Sequence, residues 1–220
     1  MSKPTILNRI NNTPLVVWVL IGICVGTELF LTGADWGVYG SPRWRPLAYQ
    51  NGGFWIGLLG DWKPNFQWQP VTMFATYGFL HSGLTHLIVN MFTLFTLGTI
   101  IVGRIGQRRF AALYLASIVG GGVGFAILSN APQPMVGASG ALFGLMGALS
   151  AWEYVDRFTA EEKLWPVLRL VLILIAFNLI LWWAMNGQLA WETHLGGFVF
   201  GWIFANLIDP RSRPIEFEDD

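Results

Sequence analysis

Six apolar segments, each set off by charged or turn-forming residues, constrain this chain more than any other feature. They run over roughly Pro14 to Leu31, Leu84 to Val102, Phe110 to Leu128, Ser139 to Trp152, Pro166 to Met185 and Trp191 to Ile208. A hydrocarbon layer about 30 Å thick is crossed by about 20 helical residues at 1.5 Å each. Backbone polar groups in lipid must be satisfied internally, which favours helices for such segments. Composition agrees: the 220 residues are 54% hydrophobic and 12% charged, against about 25% charged in soluble domains. The expected fold is therefore an all-α membrane protein, a bundle of six transmembrane helices.

Lys and Arg set the orientation. With the N-terminus cytoplasmic, that side receives Lys3 and Arg9, then Arg104, Arg108 and Arg109, then Arg157 and Lys163, and lastly Arg211 and Arg213, while Arg43, Arg45 and Lys63 fall opposite. This predicts an N-in, C-in topology: a cytoplasmic N-terminus (1–13), a six-helix domain (14–208) with a long outer loop at about 32–80, and a solvated acidic cytoplasmic tail (209–220). The loop is rich in Trp, which favours the headgroup level, and is expected to be partly helical and interfacial. Asn12-Thr13 before Pro14 reads as a helix start, Asp209-Pro210 as a stop. Lys3 and Arg9 precede an apolar run without a small-x-small cleavage site, so a retained first span is expected rather than a signal peptide. The formal net charge is zero and no basic run is present, which argues against a nucleic-acid partner; the expected partner surface is the lipid bilayer. Cys24, the single cysteine, reads as a small buried hydrophobe.

Gly137-Ala138-Ser139-Gly140 opens the fourth segment. Alone, such a string equally describes close helix packing, because small residues spaced by three or four let membrane helices approach. Depth separates the two readings. Counted from the charged cytoplasmic ends at Glu153, Arg104 and Asp209, Ser139, Asn90 and His194 lie fourteen or fifteen residues in, about 21 to 23 Å at helical rise. Three segments therefore present these side chains at one level, with His86 one turn above Asn90. A serine beside a histidine is the nucleophile and base of acyl transfer, and backbone N–H groups at a helix start with donors from His86 and Asn90 suit a developing oxyanion. Gly140 and Gly144 on one segment and Gly197 and Gly201 on another would bring the backbones close enough for Ser139 to reach His194. Helix-gluing histidines remain the structural alternative. A zinc site fits poorly, because His81 and His86 are spaced i,i+5 rather than i,i+4; no metal or cofactor is expected. Glu28, near the outer end of the first span, is expected to reach the interface.

His81-x4-His86-x3-Asn90, Gly137-x-Ser139-Gly140 and His194-x2-Gly197-x3-Gly201 resemble, in order, the motifs of the rhomboid intramembrane serine proteases. The resemblance implies a six-helix rhomboid-like bundle, Ser139 as nucleophile and His194 as base in a dyad, His86, Asn90 and backbone at Gly137 and Ser139 at the oxyanion, and His81 in support. It also implies single-span or multi-span membrane-protein substrates, cut near the outer end of a transmembrane segment and admitted beside the fifth helix. The minimal core suits the plasma membrane of a bacterium, with the site opening outward. Two departures are visible. The Trp-Arg pair common in the family's first loop is replaced by Thr72-Met73, and Trp44-Arg45 lies well upstream, so a different docking of the loop is expected. Phe143 stands where some bacterial members have a tyrosine, and can stack on the base without supplying a hydroxyl. The contrasting reading is a non-proteolytic rhomboid-like protein that binds and escorts transmembrane segments. A channel is disfavoured, because the polar residues gather at one depth.

Overall fold

The computed structural model describes residues 14–208, so the two ends expected to be cytoplasmic, with Asn12-Thr13 and Asp209-Pro210, lie outside the described residues. Within them the protein is all-helical: α1 (Leu15–Asp35), α2 (Trp44–Gly52), α3 (Gln69–Thr76), α4 (Leu84–Leu128), α5 (Ser139–Thr159), α6 (Trp165–Ala184) and α7 (Trp191–Leu207). By length and hydropathy α1, α4 and α6 are each able to cross a membrane.

The 45 residues of α4 are two helices joined at Gly106, whose φ of 78° and ψ of 164° interrupt the helix. The apolar pattern predicts a longer connection there, between Val102 and Phe110. Instead the helical runs meet at one glycine, which takes a positive φ without the penalty of a Cβ. The chain folds back at this point: the Phe110 ring lies 3.3 Å from where a Gly98 Cβ would sit, whereas twelve residues of straight helix would separate them by about 18 Å.

A second difference is the length of α5, which continues from the expected Trp152 to Thr159. Apolar pattern stops before the helix does, because charged residues continue it: Arg157 pairs with Glu153 one turn back (2.5 Å) and with Glu162 beyond the end (2.8 Å). The helix ends near Glu161, at a φ of 56°.

The long loop between α1 and α4, expected on the outer side, contains α2, α3 and two short 3₁₀ turns and is partly helical as expected. Its anchor corrects the reading of Glu28. That carboxylate is fully buried and takes both terminal nitrogens of Arg45, at 2.8 and 3.0 Å. Arg45 also reaches Asp35 (2.5 Å), Thr32 (3.1 Å) and the carbonyl of His81 (3.1 Å), to which the Tyr49 hydroxyl donates as well (2.6 Å). Burial disfavours the guanidinium's charge, but its hydrogen bonds to Glu28 and Asp35 outweigh that and raise its pKa. Trp44 stacks on Phe30 of α1 at 5.1 Å. Trp44-Arg45 thus fastens the loop to α1 and to the chain just before α4.

The core forms where α5, α7 and the second half of α4 meet at glycines. A Cβ on Gly197 would press on the Gly140 carbonyl group, with its carbon at 2.8 Å, and one on Gly201 would meet the backbone of Gly144 at 2.6 Å. Gly120 and Gly124 of α4 meet α7 as closely, at Phe200 and Gly196. Elsewhere polar groups close the bundle: Trp152 Nε1 donates to Ala205 (3.1 Å) and the Tyr77 hydroxyl to Ile118 (2.7 Å). Cys24 is buried. Gly197→Ala is expected to cost about 1–3 kcal/mol, because backbone cannot yield as a side-chain tip can. Gly22→Ala and Gly26→Ala, with nothing within 4 Å of the added Cβ, should show no loss; thermal unfolding in detergent compares the three.

Candidate active site

Ser139 is the first residue of α5, and the outer loop fixes the segment leading into it. Phe54 and Met135 exchange two backbone hydrogen bonds (2.9 and 3.0 Å), and the Gly137 N–H donates to the Tyr77 carbonyl (2.9 Å). Gly137 has a φ of 131°, and a Cβ there would lie 2.6 to 2.9 Å from the His86 ring. Glycine is needed both for the conformation and for the space.

His194, in the first turns of α7, is buried, while Ser139 is partly open. The Ser139 hydroxyl and His194 Nε2 are 2.9 Å apart. Phe143, one turn along α5 from Ser139, stacks on the imidazole with centroids 4.1 Å apart and planes 6° from parallel. On the other edge, Nδ1 is 2.7 Å from Oδ1 of Asn178 on α6. With Nδ1–H donating to that amide oxygen, Nε2 keeps its lone pair for the serine proton.

His86 turns its ring toward Gly137. Its Nδ1 accepts from the Ser82 N–H (3.3 Å) and lies 2.9 Å from the Ser82 hydroxyl. An accepting Nδ1 leaves Nε2 protonated, a donor facing the start of α5. Asn90 is buried and its amide donates to the His86 carbonyl at 2.8 Å, which braces the turn carrying His86 rather than reaching Ser139. His81 precedes α4, so helical spacing does not govern it: its buried ring packs edge-on against His86, centroids 5.3 Å apart. The packing glycines Gly140, Gly144, Gly197 and Gly201 lie where α5 and α7 touch.

An apolar cleft of about 520 Å³ runs between α6 and the α5–α7 pair, with Ile175, Leu179, Trp182 and Trp191 on its walls and His194 and Asn178 in its lining. Among the described residues of α6, only Val167 is buried, so this helix packs loosely on the rest.

The sequence reading did not single out Asn178, Tyr77 or the Glu28–Arg45 pair. A lone amide in the apolar run of α6 is the signal for the first, since a polar group in a span calls for a partner. Tyr77 and Arg45 act through contacts 41 and 17 residues away, for which local pattern gives no signal.

The sequence model of the family described as "Rhomboid domain" matches residues 67–211, which include His81, His86, Asn90, Ser139, Asn178 and His194 but not Glu28 or Arg45. "RHOMBOID-like protein 6, mitochondrial" of Arabidopsis thaliana is 34% identical over 169 residues, 74% of this chain and 52% of that protein. "Rhomboid protease GluP" of Bacillus subtilis is 32% identical over 126 residues, 57% of this chain and 24% of that protein. "Putative rhomboid protease YdcA" of the same organism is 27% identical over 156 residues, 70% of this chain and 72% of that protein. The chain thus spans about half the length of the first of these relatives and about a quarter of the second. With the family match running from the outer loop through α7 and carrying both the serine and the histidine, this chain belongs to the rhomboid family.

Proposed function

We propose that this protein is an intramembrane serine endopeptidase that cuts transmembrane segments of membrane-protein substrates through an acyl-enzyme on Ser139. The observation that carries the reading is the 2.9 Å approach of the Ser139 hydroxyl to His194 Nε2. His194 takes the serine proton as Oγ attacks the scissile carbonyl, then returns it to the leaving amine; water, activated by the same nitrogen, releases the acyl group. His86 Nε2–H and the unpaired N–H groups at the start of α5 stabilise the oxyanion. Gly137 contributes open space, its own N–H being engaged by Tyr77. His81 and Asn90 hold His86 in place, and Phe143 holds the imidazole plane. In this reading α1, the two halves of α4, α5, α6 and α7 cross the plasma membrane of a bacterium six times, N-in and C-in, and the site opens to the outer side. Residues 14–208 form the protease domain, flanked by cytoplasmic ends.

Co-expression with tagged single-span proteins, followed by mass spectrometry of the fragments, tests the proposal. New termini within or beside a transmembrane segment, missing when Ser139→Ala replaces the wild type, are expected. Binding of the same segments without any fragment would favour an escort instead.

A further inference from the structure

Resting on the Ser139–His194 reading, we propose that Asn178 of α6 is a positioning residue for the base: it holds His194 in the tautomer that can accept the serine proton, so that the reaction unit is Ser139–His194–Asn178 rather than an unaided pair.

Three observations support this. His194 Nδ1 lies 2.7 Å from Asn178 Oδ1 while Nε2 lies 2.9 Å from Ser139 Oγ, so both ring nitrogens are engaged along one line. Neutral imidazole has one N–H, and which nitrogen carries it depends on the partner of the other. An acceptor at Nδ1 puts the proton there and leaves Nε2 free; without it, an Nε2–H would face the serine hydroxyl and could not take its proton. Phe143 stacks flat on the ring at 4.1 Å and fixes its plane, but a stacking ring cannot choose between tautomers. Lastly, Asn178 sits in an apolar stretch of α6, Leu174 to Trp183 apart from itself, on the wall of an apolar cleft. An unpaired amide in such surroundings is costly, and the imidazole is the partner it has been given.

The amide oxygen orients the ring without itself carrying a charge. As Oγ attacks, the serine proton passes to Nε2, the Nδ1–H bond to Oδ1 persists, and Asn178 stays neutral throughout. Because the acceptor is carried by the loosely packed α6, the base is oriented only while α6 keeps Asn178 within reach of His194.

Asn178→Leu, close in shape without an acceptor, and Asn178→Asp, with oxygen at both terminal positions, test the proposal in the full-length protein. Cleavage of a transmembrane substrate and the rate of labelling by a small fluorophosphonate are measured together, with thermal unfolding as the check on folding. Asn178→Leu is expected to lower kcat and the labelling rate by the same factor, at least about 10-fold and up to the roughly 10⁴-fold that a wrong tautomer costs a histidine base, with KM unchanged. Asn178→Asp should stay within about threefold of wild type, since it keeps the acceptor. Wild-type labelling by Asn178→Leu overturns the proposal, as does a rise in KM alone, which would make Asn178 part of the substrate path. Loss of activity in a normally folded Asn178→Asp also overturns it. A wild-type protein that does not label at Ser139 would instead remove the underlying Ser139–His194 reading.

Discussion

Ser139→Ala and His194→Ala are each expected to reduce cleavage to background, a loss of about 10⁶-fold, with thermal unfolding unchanged within error in Ser139→Ala. The size follows from the two groups acting as a unit: a hydroxyl without its base and a base without its hydroxyl lose nearly the same rate, so the double variant should be little worse than either single one. The selectivity follows from the structure. Removing the Ser139 hydroxyl opens no core space, since this residue is partly open, and α5 and α7 are held together by backbone contact at their glycines. In His194→Ala the Phe143 ring loses its stacking partner, so a small stability change is tolerable there; an intact rate is not.

The largest stability effect is expected from Arg45→Ala, about 3–5 kcal/mol, because it strands the fully buried Glu28 carboxylate. The Thr32 hydroxyl, at 3.1 Å, cannot replace a bidentate guanidinium. Asp35 and the His81 carbonyl lose the same donor, so the outer loop should be held to α1 and to the chain before α4 only by the Trp44 stack and the Tyr49 hydroxyl. Replacing both partners, as in Glu28→Met with Arg45→Met, should be less damaging than Arg45→Ala alone, since no charge is then left without a partner. Thermal unfolding of the three variants in detergent measures the order. Equal melting of wild type and Arg45→Ala would show that the pair does not anchor the loop.

What was legible in the sequence is what fixed helical rise controls. Ser139 and His194 can be placed at one depth from the charged ends of their segments, and the glycines on both helices foretell the close approach. The family motifs add to that and agree with it. Boundaries set by single residues were not legible: nothing in the apolar pattern marks Gly106 as the whole of a turn, or shows that α5 runs on to Thr159 on the strength of its charge pairs. Non-local partners were hidden too. Glu28 reads as a residue reaching for water until Arg45, seventeen residues on, is placed against it. Asn178 escapes a search for ionisable groups because it is neutral, and α6 runs opposite to the helices bearing the other site residues, so counting from their common side does not reach it.

The most direct measurement of the central claim is the intact mass and peptide map of the protein after exposure to a fluorophosphonate in a bilayer. One adduct is expected, on the peptide bearing Ser139, absent in Ser139→Ala and formed far more slowly in His194→Ala. An adduct on another residue, or labelling at Ser139 that proceeds at the wild-type rate without His194, would contradict it.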